Sequence, residues 1–258
     1  MSTLLYSSPI FGPVRSRRLG LSLGINLLPP DGKLCNFDCL YCECGLNAQR
    51  RPAKPMPTRQ AVADALESTL CRMREEGALP DTLTFAGNGE PTLHPDFSGI
   101  IDDTLQLRER YAPKARISVL SNATRLLKPA VFEALKKVDN PLLKLDTVDA
   151  DYIRRLDRPT SHYDADALIE AMVALGKKAI IQTMFLKGTV DGQSFDNTDN
   201  RYVLPWLRVL QRIGPQLVTI YTIDRETPTQ GLEKASRAEL DRIAELVRAE
   251  GIAVTVSY

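Results

Sequence analysis

"LSLGINLLPPDGKLCNFDCLYCECG" (residues 21–45) runs from an extended apolar segment into four cysteines at positions 35, 39, 42 and 44, in a chain that has five in all. Tyr41 directly precedes the third of them. A disulfide, a zinc site, an iron–sulfur cluster and chance are the four explanations for this crowding, and the rest of the sequence bears on each.

The 258 residues are long for one ordinary domain and ordinary for a single α/β barrel. An apolar content of 43% with 25% charged residues is that of a folded protein with a large core. The formal net charge of +1 carries no whole-chain signal for nucleic acid or an anionic membrane. "MSTLLYSSPIFGPVRSRRLG" (residues 1–20) lacks the charged and apolar regions of a secretory signal, and no apolar run approaches the roughly 18 residues of a membrane helix. These features predict a cytoplasmic protein without a membrane partner. Structural disulfides are rare in that compartment, so the cysteines read as metal ligands or redox groups.

Cys35, Cys39 and Cys42 have the spacing C-x3-C-x2-C. Three thiolates on one short loop suit three corners of a [4Fe–4S] cube and leave the fourth iron open to a substrate or cofactor. Zinc is the competitor. It needs a fourth ligand from Cys44, cramped one residue past Cys42, or from His94 far along the chain, and zinc ligands more often come as two separated pairs. The spacing favours the cluster and leaves zinc open.

Downstream, strand-like and helix-like segments alternate. "TRQAVADALESTLCRMREEG" (58–77) places Val62, Leu66, Leu70 and Met73 on one face, with Thr58 as N-cap and Gly77 as stop. "DTLTFAG", "ARISVLSN", "PLLKLDT", "AIIQTMFLKG" and "LVTIYTID" read as further strands separated by helices, with "YVLPWLRVLQRIG" helical on either side of Pro205. "SRAELDRIAELVRAEG" (236–251) carries a capping box, Ser236 with Glu239. Regular βα alternation predicts an α/β fold of mostly parallel strands, about six repeats against the eight of a closed barrel. No compositional break marks a boundary, so one core domain over 1–258 is expected, with 1–20 as an N-terminal extension and 236–258 as a C-terminal helix and strand. The polar connection 188–200 is long enough for a lid that keeps water and oxygen out.

A second motif, "FAGNGEPTLHPDF" (85–97), follows the second strand. Gly87 and Gly89 permit close backbone approach to a ligand, and the Glu90 carboxylate suits an ammonium group. Ser121 and Asn122 end the third strand. Lys144 and Asp146 share one face of the fourth strand, and charges alternating in an apolar strand require partners. Gln182 and Met184 alternate in the same way, and Asp224 with Arg225 end the sixth strand, a position suited to gripping an anionic group. Cys71 reads as a small buried hydrophobe and Cys44 as a spectator near the other three.

"CNFDCLYC" places an aromatic residue before the last cysteine and resembles the signature of the radical S-adenosylmethionine (SAM) superfamily, at the end of the first strand as in that family. "GPVRSRRLGLSLGINLLPPDGKLCNFDCLYCECG" (12–45) is similar to the opening of bacterial wyosine-synthase-like Fe–S oxidoreductases. The resemblance implies a partial (β/α)6 barrel, a [4Fe–4S] cluster on Cys35, Cys39 and Cys42, and SAM on the open iron. An electron passed through the cluster then cleaves SAM to a 5′-deoxyadenosyl radical that abstracts hydrogen from substrate. It further implies Tyr41 beside the adenine, Gly87, Asn88, Gly89 and Glu90 at the amino group, and Ser121 and Asn122 at the ribose or carboxylate. Lys144 and Asp146 would reach the carboxylate and the ribose. Asn88 stands where the family more often has glycine. The extra cysteine cluster and flavodoxin-like domain of some wyosine enzymes are not in these residues.

For substrate, the resemblance points to tRNA or a nucleotide, with Arg15, Arg17 and Arg18 before the strand and "QRRPAKP" (49–55) after the cysteines expected as basic clusters near the cluster mouth. Activation of a glycyl radical enzyme is a second class, with a protein substrate, and a non-enzymatic zinc or iron–sulfur module a third. A flavodoxin or ferredoxin is implied as electron donor.

Overall fold

The strand that leads into the cysteines is the second of the sheet, not the first. The computed structural model describes residues 4–16 and 19–258. In it β1 (Ile10–Ser16) runs antiparallel to β2 (Gly20–Ile25), with Phe11 opposite Gly24 and Arg15 opposite Leu21. At Gly24 a Cβ would lie 2.1 Å from the Phe11 ring, so any side chain there would have to displace that ring. The hairpin also puts Arg15 at the start of β2, the end of the sheet remote from the cysteines. Of the basic cluster expected before the strand, Arg15 is therefore not at the cysteine mouth; Arg17 and Arg18 lie outside the described residues.

From β2 onward the chain climbs one strand at a time, through α1 (Arg59–Glu75), β3 (Thr82–Phe85), α2 (Phe97–Tyr111), β4 (Arg116–Ser121), α3 (Pro129–Lys137) and β5 (Asn140–Lys144). Two helices, α4 (Ala150–Leu156) and α5 (Ala165–Leu175), precede β6 (Ile180–Met184). A hairpin of β7 (Leu186–Val190) and β8 (Gln193–Asp196) follows, then α6 (Asn200–Ile213) and β9 (Leu217–Tyr221). The chain ends with β10 (Leu232–Lys234), α7 (Arg237–Ala249) and β11 (Val254–Ser257). The order β1-β2-β3-β4-β5-β6-β9-β11 is parallel throughout from β2 and curls into an open half-barrel, the partial (β/α)6 barrel expected, with a seventh parallel strand at its far edge.

The two faces of the sheet have different solvents. Leu23, Ile25, Leu83, Phe85, Ile117, Val119, Leu143, Ile181, Val218 and Ile220 are fully buried against the helices in one core. Residues of the alternate parity, held level by the register, point into the barrel and are largely polar. Ser22 donates to Thr84 at 2.8 Å, Thr82 pairs with Ser118 at 3.0 Å, and Asn140 donates to Ser118 at 3.0 Å. The barrel interior is thus a hydrogen-bonded lumen rather than an oily core, which is what an internal ligand site needs.

Thr58 caps α1 and the Ser236–Glu239 capping box starts α7, as the sequence predicts. Two expectations change. α6 runs through Pro205 without a break. Residues 188–200 are not an irregular connection: they form most of the β7–β8 hairpin, which joins β10 in a separate three-stranded sheet. Asn197, fully buried, then locks the hairpin down by accepting from Leu186 N–H and donating to the carbonyls of Met184 and Asp146.

Candidate active site

The cysteine loop lies across the C-terminal mouth of the half-barrel and is fastened on both sides. On one side Leu34 N–H donates to Asn88 O (2.9 Å) and Glu90 N–H to Leu34 O (3.1 Å). On the other, Asp38 N–H donates to Asp157 O (3.0 Å) and Leu40 N–H to Leu156 O (2.9 Å), and Thr160 N–H reaches Asn36 O. The loop is positioned by the β3 turn and by the end of α4, so its thiols inherit the rigidity of the sheet.

Gly89 owes its identity to this junction. Its φ is +135°, and a Cβ would stand 1.9 Å from Leu34 O. Gly87 (φ +127°) would press a Cβ to 2.7 Å from Asn26. Asn88 is wholly buried, and its amide is spent internally: Nδ2 donates to Tyr6 O and Pro29 O while Oδ1 accepts from Tyr6 N–H. The glycine turn expected at a SAM amino group is here also the bracket that carries the cysteines.

Glu90 gathers two of the other predicted residues, Ser121 and Asn122. Its Oε1 accepts from Thr92 and from Ser121 Oγ (2.9 Å), and its Oε2 from Asn122 N–H (2.6 Å). Burial pushes this carboxyl above its ordinary range, opposed by those same hydrogen bonds. Asn122 continues the network, donating to Asn36 Oδ1 at 2.8 Å and lying 3.7 Å from Cys35 Sγ.

Across the mouth a second network meets Cys39. Lys144 donates to Asp146 and to the Tyr41 hydroxyl, sits 3.0 Å from Asp157 Oδ1, and lies 4.7 Å from the centre of the Tyr41 ring. Tyr41 in turn donates to Asp146. Burial works against the Lys144 charge, but Asp146 and Asp157 raise its pKa well above the ordinary value. Burial pushes Asp157 up to about 6 against the pull of Lys144. Tyr41, Lys144 and Asp146 are therefore brought together by side-chain bonds to one another. Gln182 stands level with Lys144 on the next strand and faces the same lumen. Met184, by contrast, packs with Leu40, Tyr152 and Ile223 in a small apolar cluster under the loop. Arg225 is paired with Glu43 at 2.7 Å, and His94 bonds Pro57 O at the entry to α2, away from the thiols.

Sequence reasoning missed Lys33, Asn36 and Asp157. Lys33 and Asn36 stand beside the first cysteine, and a lysine inside a cysteine loop was the signal available. Asp157 follows a seven-residue helix too short to show a period.

All five cysteines are free thiols. Phe37 N–H points at Cys35 Sγ (3.4 Å) and Asn122 Nδ2 at the same atom, donors that suit a thiolate. Burial pushes Cys35 up to about 12 and Cys39 well above its ordinary value, whereas hydrogen bonds from Cys44 and the nearby Lys33 bring Cys42 down to about 6. Cys44 itself is buried, donating to Gly87 O. Among the described residues no three His, Cys, Asp or Glu side chains converge as around a single ion. Three soft thiols spread along one clamped loop, with donors aimed at the Cys35 and Cys42 sulfurs, fit an iron–sulfur cluster. Among the described residues no helix is long and apolar enough to cross a membrane.

The UPF0026 protein of Helicobacter pylori is 31% identical over 223 residues, 84% of this chain, and the chain spans 66% of that relative's length, just short of two thirds. A radical SAM methyltransferase from Sphaerobacter thermophilus superposes with a TM-score of 0.68 at 17% identity, covering 92% of this chain and 66% of its own. TYW1 with a lysine–pyruvate adduct bound superposes at 0.59 and 15% identity, covering 88% and 73%. At these identities the two structures share the fold. The family model for the radical SAM superfamily matches residues 30–198, more than half of the chain and the whole span from the cysteine loop to Asn197. The clamped C-x3-C-x2-C loop, the half-barrel beneath it and that match together assign the chain to the radical SAM superfamily, enzymes whose cofactors are a [4Fe–4S] cluster and S-adenosylmethionine.

Proposed function

We propose that this chain, as one core domain over residues 1–258, reductively cleaves SAM at a [4Fe–4S] cluster and uses the 5′-deoxyadenosyl radical to abstract hydrogen from a nucleotide or tRNA substrate. The observation that carries the reading is the set of three thiols clamped across the mouth of a polar-lined half-barrel, with a hydrogen-bonding network on each flank. Cys35, Cys39 and Cys42 hold the cluster. Gly87, Asn88, Gly89 and Glu90 with Ser121 and Asn122 form one wall of the SAM site; Tyr41, Lys144 and Asp146 form the other. Asn88 acts through its backbone, its side chain being engaged with Tyr6 and Pro29. Lys144 and Asp146, paired with each other here, would hold the carboxylate and the ribose hydroxyls of SAM. The lumen behind them, lined by Gln182 and the Ser–Thr ladder, excludes bulk solvent from the reacting atoms.

Radical SAM enzymes require a one-electron reductant; a flavodoxin or ferredoxin in the cytoplasm fits the free thiols. Support for a phosphate-bearing substrate comes from a cleft of about 330 Å³ beside Leu40, lined by Arg154, Arg155 and Arg158. Guanidinium groups suit phosphate oxygens.

Anaerobic reconstitution with iron and sulfide, followed by SAM and dithionite, should yield 5′-deoxyadenosine in wild type and none in Cys35→Ala, Cys39→Ala or Cys42→Ala. A zinc-bound chain that leaves SAM intact would refute the mechanism. RNA binding over a salt series separates substrates: a steep loss of affinity with salt marks phosphate contacts.

A further inference from the structure

Lys33 is a charge buried where the described part of the chain gives it too little to balance. Its side chain is 1% exposed, at the start of the cysteine loop two residues before Cys35. The ammonium donates to Gly45 O at 2.9 Å, joining the two ends of the loop, and reaches the Cys42 sulfur. Among the described residues its one carboxylate neighbour is Asp38, at 3.7 Å, beyond hydrogen-bond reach. Asp38 is already engaged elsewhere, accepting from Asn47 N–H at 2.7 Å and lying 3.5 Å from Arg158. A buried ammonium needs a close, well-paired anion. The groups placed to supply one are the sulfurs of the loop that Lys33 ties together, Cys42 within its reach and Cys35 and Cys39 nearby, all of them anionic once they ligate a cluster.

We infer that Lys33 is a positioning residue for the cluster, a fixed cation that raises its reduction potential. The inference rests on the cluster reading above. Three thiolates give the oxidised cluster a net negative charge, and the electron taken from a low-potential one-electron donor adds one more. A cation beside the sulfurs therefore favours the reduced state over the oxidised one. The carbonyl contact with Gly45 is a separate, structural task, and the two are separable by substitution. Lys33→Met removes charge and hydrogen bond, Lys33→Gln removes the charge and keeps a donor, and Lys33→Arg keeps the charge.

The experiment is a potentiometric titration of the reconstituted protein, followed by electron paramagnetic resonance of the reduced cluster, in the absence of SAM. Iron and sulfide per chain are measured on the same samples. At a poise where wild type is half reduced, the ratio of reduced to oxidised cluster should fall about tenfold in Lys33→Met and Lys33→Gln, about 59 mV for a one-electron couple. Lys33→Arg should titrate close to wild type. Equal potentials in fully loaded Lys33→Met and wild type would overturn the inference while leaving the radical SAM reading intact. Equal loss of iron in Lys33→Arg and Lys33→Met would also overturn it, because it would make the residue a shape-dependent staple. A wild-type chain that takes up no cluster at all would refute the cluster reading itself.

Discussion

Gly89→Ala tests the junction on which the site is built. The new methyl would stand 1.9 Å from Leu34 O and 2.6 Å from Leu34 C, backbone atoms that cannot move without breaking the bridge between residues 34 and 89–90. Two hydrogen bonds lie in that bridge, each worth about 1 kcal/mol. Holding alanine at a φ of +135° adds about 1–3 kcal/mol. The expected loss is about 3–5 kcal/mol, a large share of the roughly 5–15 kcal/mol that stabilises a folded domain. Gly77→Ala is the control, because Gly77 also has positive φ (+70°) but nothing within 4 Å of its Cβ position, so only about 1 kcal/mol is at stake. Urea unfolding of the metal-free chains measures both, and iron per chain after reconstitution reports whether the cysteine loop still holds its shape. Gly89→Ala should unfold at clearly lower urea and load little iron; Gly77→Ala should load fully. Matching behaviour of the two variants would refute the argument that Gly89 is fixed by the cysteine loop.

Glu239 sets a pH dependence away from the thiols. Burial opposes its ionisation, but hydrogen bonds from Ser236 and the Lys187 ammonium hold its carboxyl down at about 2, from an ordinary 4.5. A lowered carboxylate stabilises the fold above pH 4.5 and loses that contribution as the pH falls toward 2, about 1–2 kcal/mol after allowing for solvent screening. Unfolding of Glu239→Gln followed across pH 2–5 should show a flatter acid limb than wild type; parallel limbs would exclude this role. Asn197→Ala leaves three buried backbone partners unsatisfied and should lose about 3 kcal/mol. Faster amide exchange at Leu186 would locate that loss in the hairpin, and unchanged exchange there would contradict it.

The parts legible in the sequence are those whose physics is local. C-x3-C-x2-C needs only neighbouring residues, the capping box at Ser236 spans four positions, and the strand–helix alternation repeats until its meaning is plain. Lys144 and Asp146 were legible because two charges on one face of an apolar strand demand an interior. What escapes is set by distant partners. Gly89 reads in the sequence only as a candidate ligand contact, and the second constraint on it, Leu34, lies 55 positions earlier. Asp157 has significance only beside Lys144 and Cys39. The hairpin after β6 hides in polar composition, although Asp191–Gly192, both at positive φ, is a turn signal of its own. β1 hides behind Gly12 and Pro13, residues that argue against a strand until the edge position excuses them.

The two clamps on the cysteine loop have a bearing on how the protein is made. The second clamp is formed by residues 156–160, well over a hundred positions after the thiols it fixes. At about 5–20 residues per second, a ribosome needs roughly 6–24 s to reach that point after Cys42 is added. For that interval the three thiols travel on a tether held at most from one side, open to oxidants and to stray metal ions. Iron and sulfide delivered during synthesis would meet a floppy ligand set; delivered afterwards, they meet a loop already drawn across the finished strands. A ligand loop clamped on both sides therefore exists only once residues 156–160 have been made, and that order is written in the distance between Cys42 and Asp157.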